Sequence, residues 1–111
     1  KITQIEKGEE NKFPLYRGDA LIKLEVFTKK DNKHIATKWT SISLGNNSMP
    51  KCLNYVIPFM NLKERVVIEC PKEYGYQEYE ASLIGIEKHY NEDLIFDFKT
   101  WVYGDSSENL I

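Results

Sequence analysis

The chain has 111 residues, 41% of them hydrophobic and 29% charged, with a formal net charge of −2. That length supports one hydrophobic core, and the composition is ordinary for a folded domain, which excludes a second domain within these residues and wholesale disorder. The balance of 15 Lys and Arg against 17 Asp and Glu offers no basic excess for nucleic acid. No apolar run approaches the roughly 20 residues of a membrane span.

No signal peptide is visible. The chain opens on Lys1 rather than Met, so we read it as one domain of a longer protein, with residues 1–104 as the domain and residues 105–111 as the start of a linker. Residues 1–8 (KITQIEKG) set Ile2 and Ile5 among polar neighbours and stop at Gly8, which predicts an edge strand. Residues 9–16 form a polar connection anchored by Phe13 and Leu15. The run ALIKLEVFT, residues 20–28, has period two: Ala20, Ile22, Leu24 and Val26 on one face, Leu21, Lys23, Glu25 and Phe27 on the other. That is a strand with one buried side. Residues 29–33 (KKDNK) predict a hairpin turn, because Asp31 and Asn32 tolerate positive φ. A second strand follows over HIATKWTSISL, marked by Ile35, Trp39, Ile42 and Leu44.

A turn over Gly45 to Ser48 leads into Leu53, Val56, Ile57 and Met60 at helical spacing. The spacing predicts a short helix over 49–60, with Pro50 in its first turn, where a missing N–H costs least, and Pro58 near its end. A strand restarts at Arg65 and ends at Pro71. Residues 72–93 make a loop long enough to suggest a role of its own. The closing strand alternates Leu94, Phe96 and Phe98 against Ile95, Asp97 and Lys99, and ends at Gly104. These pieces predict an α+β roll: a four- to five-stranded, mostly antiparallel sheet wrapped around one short helix.

Chemistry-bearing patterns are few. His34 and His89 have no Cys or carboxylate at the spacing of a zinc site, which needs about four ligands, so no metal is expected. No nucleophile elbow, phosphate loop or dinucleotide fingerprint is present, and no cofactor is expected. Glu73, Glu78 and Glu80 read as solvated loop charge. Tyr74, Tyr76, Tyr79 and Tyr90 gather at the same loop, where a hydroxyl on an apolar body suits a binding rim. Cys52 and Cys70 lack a CxxC pattern and read as two reduced, half-buried thiols, which points to the cytosol. The glycosylation acceptor Asn46-Asn47-Ser48 is then set aside.

The order of the segments resembles the FK506-binding protein family of peptidyl-prolyl isomerases. The resemblance is carried by GDALIKLEVF from Gly18, the pair Leu44-Gly45, the helix 49–60 followed by KERVVIECP from Lys63, the segment Glu73 to Tyr76 (EYGY), and LIFDF from Leu94. Five segments in register span residues 1–103. In that family a short helix crosses the concave sheet face and an aromatic floor on it supports the substrate proline. The dry pocket favours a twisted amide over the planar one, against an uncatalysed barrier of about 18–20 kcal/mol.

Carried over by position, the resemblance implies a degenerate substrate pocket formed by Glu25, Ile35, Ala36, Met49, Pro50, Leu53, Tyr76 and Phe96. The floor Trp becomes Leu53, and the position donating a backbone N–H becomes Pro50, which has none. The Phe-Asp pair becomes Ile35-Ala36, and the first-strand Tyr becomes Glu25. Tyr76, Met49 and Phe96 keep the family's character, whereas Gln77 replaces a Gly. No residue is assigned a catalytic role. The Pro and Leu substitutions are similar to the second, non-drug-binding FK domain of the large tetratricopeptide-containing immunophilins.

The expectation that follows is a monomeric accessory domain in the cytoplasm or nucleus. It would act as an interaction or spacer module toward a proline-containing protein or peptide, and through other domains toward a chaperone such as Hsp90. The alternatives are a working, FK506-insensitive isomerase assisting protein folding, and a binding domain unrelated to prolyl chemistry. The loop 77–93, with Leu83, Ile84, Ile86 and Tyr90, would either tuck against the sheet or present Ile84, Ile86 and Tyr90 as a contact patch.

Overall fold

The computed structural model describes residues 2–14, 18–44, 51–74, 81–82, 84–86, 88–89 and 91–104. Five strands appear in chain order: β1 (Ile2–Glu6), β2 (Asp19–Thr28), β3 (His34–Ser43), β4 (Arg65–Cys70) and β5 (Leu94–Gly104). They form one sheet in the order β1-β4-β5-β2-β3. Every pairing is antiparallel. This order explains the helix. β3 lies at one edge while β4 lies next to the other, so the chain between them must cross a face of the sheet. The helix α1 (Lys51–Val56) and a 3₁₀ turn (Ile57–Phe59) belong to that crossing.

The period-two reading of β2 holds. Ala20, Ile22, Leu24 and Val26 are wholly buried, and Leu94, Phe96 and Phe98 of β5 and Val66, Ile68 and Cys70 of β4 extend the same apolar face. Cys52, Leu53, Ile57 and Met60 bring the helical segment down onto it. The hairpin turn carries Asn32 at φ 55°, as its residue type suggested. The Thr28 hydroxyl bonds the Asp31 carboxylate across this turn and holds that carboxyl below its ordinary pKa. The helix is shorter than its hydrophobic spacing implied. It gives way at Ile57 to the 3₁₀ turn that contains Pro58, whose ring cannot sit in a continuing α-helix.

One feature departs from the sequence reading. Cys52 and Cys70 are joined as a disulfide, not held as separate thiols. Spacing along the chain could not show that the buried helix face meets the end of β4. With that bond in place, the argument for a reducing compartment loses its basis. The loop after β4 decides between the two alternatives left open for Ile84 and Ile86. Ala81, Ile84 and Ile86 are wholly buried in the main core. Backbone bonds from Ile84 and Ile86 to the Ala81 carbonyl, at 3.3 and 2.9 Å, fold the loop onto itself. Ile84 and Ile86 therefore cannot form the exposed patch; Leu83, Tyr79 and Tyr90 lie outside the described residues.

Candidate functional site

The residues that the resemblance gathers into a pocket divide into four groups. Leu53 and Phe96 are together in the core, each with 0% of its surface exposed. Ile35 and Ala36 pack against that core while partly buried. Ala36 is paired with Val26, so it faces the helix side of the sheet. The backbone of Gly85 lies over it: a methyl group added there would stand 3.9 Å from the Ala36 Cβ. Met49, Pro50 and Tyr76 lie outside the described residues.

Glu25 does not belong with them. It pairs with Thr37 and Asp97 on the sheet face turned away from the helix. Because side chains alternate along a strand, a register wrong by one residue moves a side chain to the opposite face. Leu24 and Val26 hold the helix-facing positions that the resemblance would require.

The chemistry at the floor is apolar throughout. Leu53 offers volume but no ring, Ala36 no carboxylate, and Phe96 an aromatic ring that is fully covered. The histidines are elsewhere. His34 Nε2 lies 2.8 Å from the Thr37 hydroxyl, and His89 Nδ1 lies 2.7 Å from Glu92 Oε2. Among the described residues no group of three metal-ligating side chains converges.

Clefts lined by described residues open elsewhere on the surface. One, of about 210 Å³, lies on the outer sheet face around Glu25 and Trp101. There the Arg65 guanidinium donates to both Asp97 oxygens at 2.9 and 2.7 Å, which raises the Arg65 pKa further. Beside it Trp101 and Trp39 meet at a ring-centroid distance of 5.9 Å, with the Lys99 ammonium 4.4 Å from the Trp101 ring. An irregularity in the β2–β5 register between Leu21 and Ile22 leaves Trp101 unpaired beside Val102. Such bulges re-aim side chains. The second cleft, of about 430 Å³, is bounded by Lys29, Lys30, Lys72 and Asp93. The third, of about 260 Å³, is the most apolar; Ile2, Ile68 and Pro71 face Cys52, Tyr55 and Val56 across it. Sequence reasoning missed this third cleft, because it depends on which helix face stands beside β1 and β4.

No protein-family model matches the sequence, and no curated protein matches it. Likeness emerges in three dimensions. The peptidyl-prolyl cis-trans isomerase PPIase from Pseudomonas syringae pv. tomato superposes with a TM-score of 0.68 at 15% identity, covering 94% of this chain and 74% of its own. The N-terminal domain of FKBP42 from Arabidopsis thaliana superposes with a TM-score of 0.70 at 13% identity, covering 94% of this chain and 85% of its own. The five-stranded antiparallel sheet with one short helix is thus the roll of the FK506-binding proteins. At these identities the likeness is one of fold.

Proposed function

We propose that this domain keeps the architecture of an FKBP-type peptidyl-prolyl isomerase but has a degenerate pocket and works mainly as a protein-interaction or spacer module in a multidomain immunophilin. The observation that carries the reading is the complete burial of Leu53 at the floor position. Ala36 stands where the resembling family keeps an acid, with the Gly85 backbone over it. A substrate proline would have to displace packed side chains before meeting any surface that favours the twisted amide. In a longer chain, such a module would position neighbouring domains against a chaperone such as Hsp90.

The disulfide bears on where this happens. Bonds of this kind persist in oxidising compartments and are rare in the cytosol and nucleus. A cytoplasmic or nuclear role belongs to the proposal only for the reduced form. Counting free thiols in the protein taken from its native source, alkylated at lysis, decides between them.

Exchange NMR on a short proline peptide tests the main reading. We expect cis–trans exchange no faster than about one tenth of that given by an intact family member at equal concentration, a barrier difference of about 1.4 kcal/mol or more. A rate matching that member would overturn the degenerate-pocket reading and favour the FK506-insensitive isomerase.

A further inference from the structure

We propose that the outer face of the sheet, turned away from the helix, is the contact surface between two copies of this chain, related by a twofold axis running across the strands. Side chains on that face stand in rows, because residues paired on neighbouring strands lie side by side. Phe27 pairs with Ile95, Glu25 with Asp97, Lys23 with Lys99, and Leu21 with Val102. Arg65 carries the lysine row on to β4. Along the strands the rows therefore read apolar, acidic, basic, apolar. The irregularity after Leu21 adds Trp101 to the last row, where its ring meets Trp39 on the same face.

Like charges directly opposite one another across a strand pair are destabilising. This face sets them so twice: Glu25 beside Asp97, and the cations Lys23, Lys99 and Arg65 across three adjacent strands. Arg65 finds relief within the chain on Asp97 at 2.7 Å, and Lys99 on Glu6 at 2.9 Å. Lys23 and Glu25 are less well served. Among the described residues Lys23 has no carboxylate partner and stands 5.8 Å from the Trp39 ring. The ion pair of Glu25 is with His34, at 3.8 Å, and only when that ring is protonated. The apolar end is open too, with Val102 52% exposed and Trp101 37%.

The order of the rows identifies the occupant as a second copy. An axis lying between the acidic and basic rows reverses the strand direction and leaves each strand over its own equivalent. Lys23 of one copy then stands over Glu25 of the other, and Lys99 over Asp97. Phe27 meets Leu21, and Ile95 meets Trp101. Every row faces its complement, and each contact occurs twice, as a self-complementary twofold interface requires. Sheets stacked in this way take the ordinary aligned packing, about 10 Å apart. Rows about 7 Å apart on strands about 4.8 Å apart give roughly 500 Å² per copy, or about 1,000 Å² in all, the lower bound for a specific interface. A weak dimer is the consequence.

Sedimentation equilibrium of the chain tests this, and we expect reversible dimerisation with micromolar affinity. Lys23→Glu and Glu25→Lys should each weaken it at least about ten-fold, because each sets like charges together twice across the axis. Val102→Lys, at a separate exposed position, should weaken it likewise. An equal mixture of the Lys23→Glu and Glu25→Lys chains should recover the affinity as a heterodimer, since their altered charges then face opposite ones. Neither a folding defect nor a contact on another surface gives that recovery. No dimer at about 1 mM chain, a dimer indifferent to these variants, or a mixture that stays monomeric would overturn the proposal. The face lies on the other side of the sheet from Leu53 and Ala36, so prolyl exchange and association report separately on the pocket and on the dimer.

Discussion

The hydroxyl of Tyr103 donates a hydrogen bond to the backbone carbonyl of Met60 at 2.7 Å, tying the last strand to the chain as it leaves the helical segment. Close by, the Thr100 hydroxyl donates to the Asn61 carbonyl at 3.0 Å. The Glu64 carboxylate accepts from Gln4 Nε2 at 3.0 Å and from the Asn61 backbone at 2.8 Å. One polar knot thus joins β1, β5 and the turn before β4. It closes the end of the roll where the helical segment leaves the sheet.

Burial pushes the Tyr103 phenol up to about 12. The sign follows from the neutral form being favoured in the fold. The stabilisation is fully present below the ordinary tyrosine pKa near 10 and is lost as pH rises from there through about 12. We expect Tyr103→Phe to lower stability by about 0.5–1.5 kcal/mol at neutral pH, the net worth of a hydrogen bond. It should also flatten the alkaline limb of the stability profile. Urea unfolding at pH 7 and pH 11 checks both; a limb unchanged by the substitution would refute the assignment.

The crosslink between Cys52 and Cys70 closes a separation of 18 residues. In the chain-entropy account a loop of that order stabilises by about 3 kcal/mol through the unfolded state. Reduction, or the pair Cys52→Ser with Cys70→Ser, should lower the melting temperature by about 10 °C or more. A melting curve insensitive to reductant would show that the bond is not formed in solution.

Ile84 has no exposed surface. Truncating it to alanine should cost about 2–5 kcal/mol, the range for deleting a large aliphatic side chain from a packed core. Denaturant midpoints measure this directly. A change below about 0.5 kcal/mol, typical of surface substitutions, would return Ile84 to the surface.

Gly8 has φ +74°, and a Cβ there would lie 2.6 Å from the Leu62 carbonyl oxygen and from the Glu64 nitrogen. Glu9 donates to that same carbonyl at 2.7 Å, so the close approach is part of the structure. For Gly8→Ala the left-handed backbone alone costs about 1–2 kcal/mol, and the backbone clash adds to it. A variant as stable as wild type would mean that the chain after β1 runs differently in solution.

How much of this was legible in the sequence depends on distance along the chain. Strands β2 and β5 announce themselves because alternation is local: Ile22, Leu24 and Val26, or Phe96 and Phe98, declare a face without reference to anything else. The turn at Asn32 is legible for the same reason. What escaped were relations between elements. Alternation alone put Glu25 on the correct face, opposite Leu24 and Val26; the resemblance drew it into the pocket because it carried over position without register. The disulfide requires knowing that Cys52 on the helix meets Cys70 at the end of β4. Ile84 and Ile86 were ambiguous because an apolar residue in a long loop looks the same in sequence whether it is buried or bound. Val102 beside Trp101 was invisible because a bulge breaks period two.

The last prediction concerns the drug that names the fold family. FK506 recognition in the resembling family relies on an aromatic floor and a backbone donor, and in the proposed correspondence Leu53 and Pro50 take those positions. A missing hydrogen bond removes about 0.5–1.5 kcal/mol, and the complete burial of Leu53 removes the surface on which a ligand ring would rest. Calorimetric titration of FK506 should therefore show no nanomolar complex. Restoring the residue types should not repair this at once. Leu53→Trp enlarges a filled site and is expected to cost about 1–3 kcal/mol by overpacking. Ala36→Asp sets a carboxylate against the core beneath Gly85, where desolvation works against the charged form. The double variant should melt lower than wild type and still bind FK506 poorly. A stable double variant with tight binding would show that Leu53 and Ala36 already border an open pocket, and the degenerate-floor reading would fail.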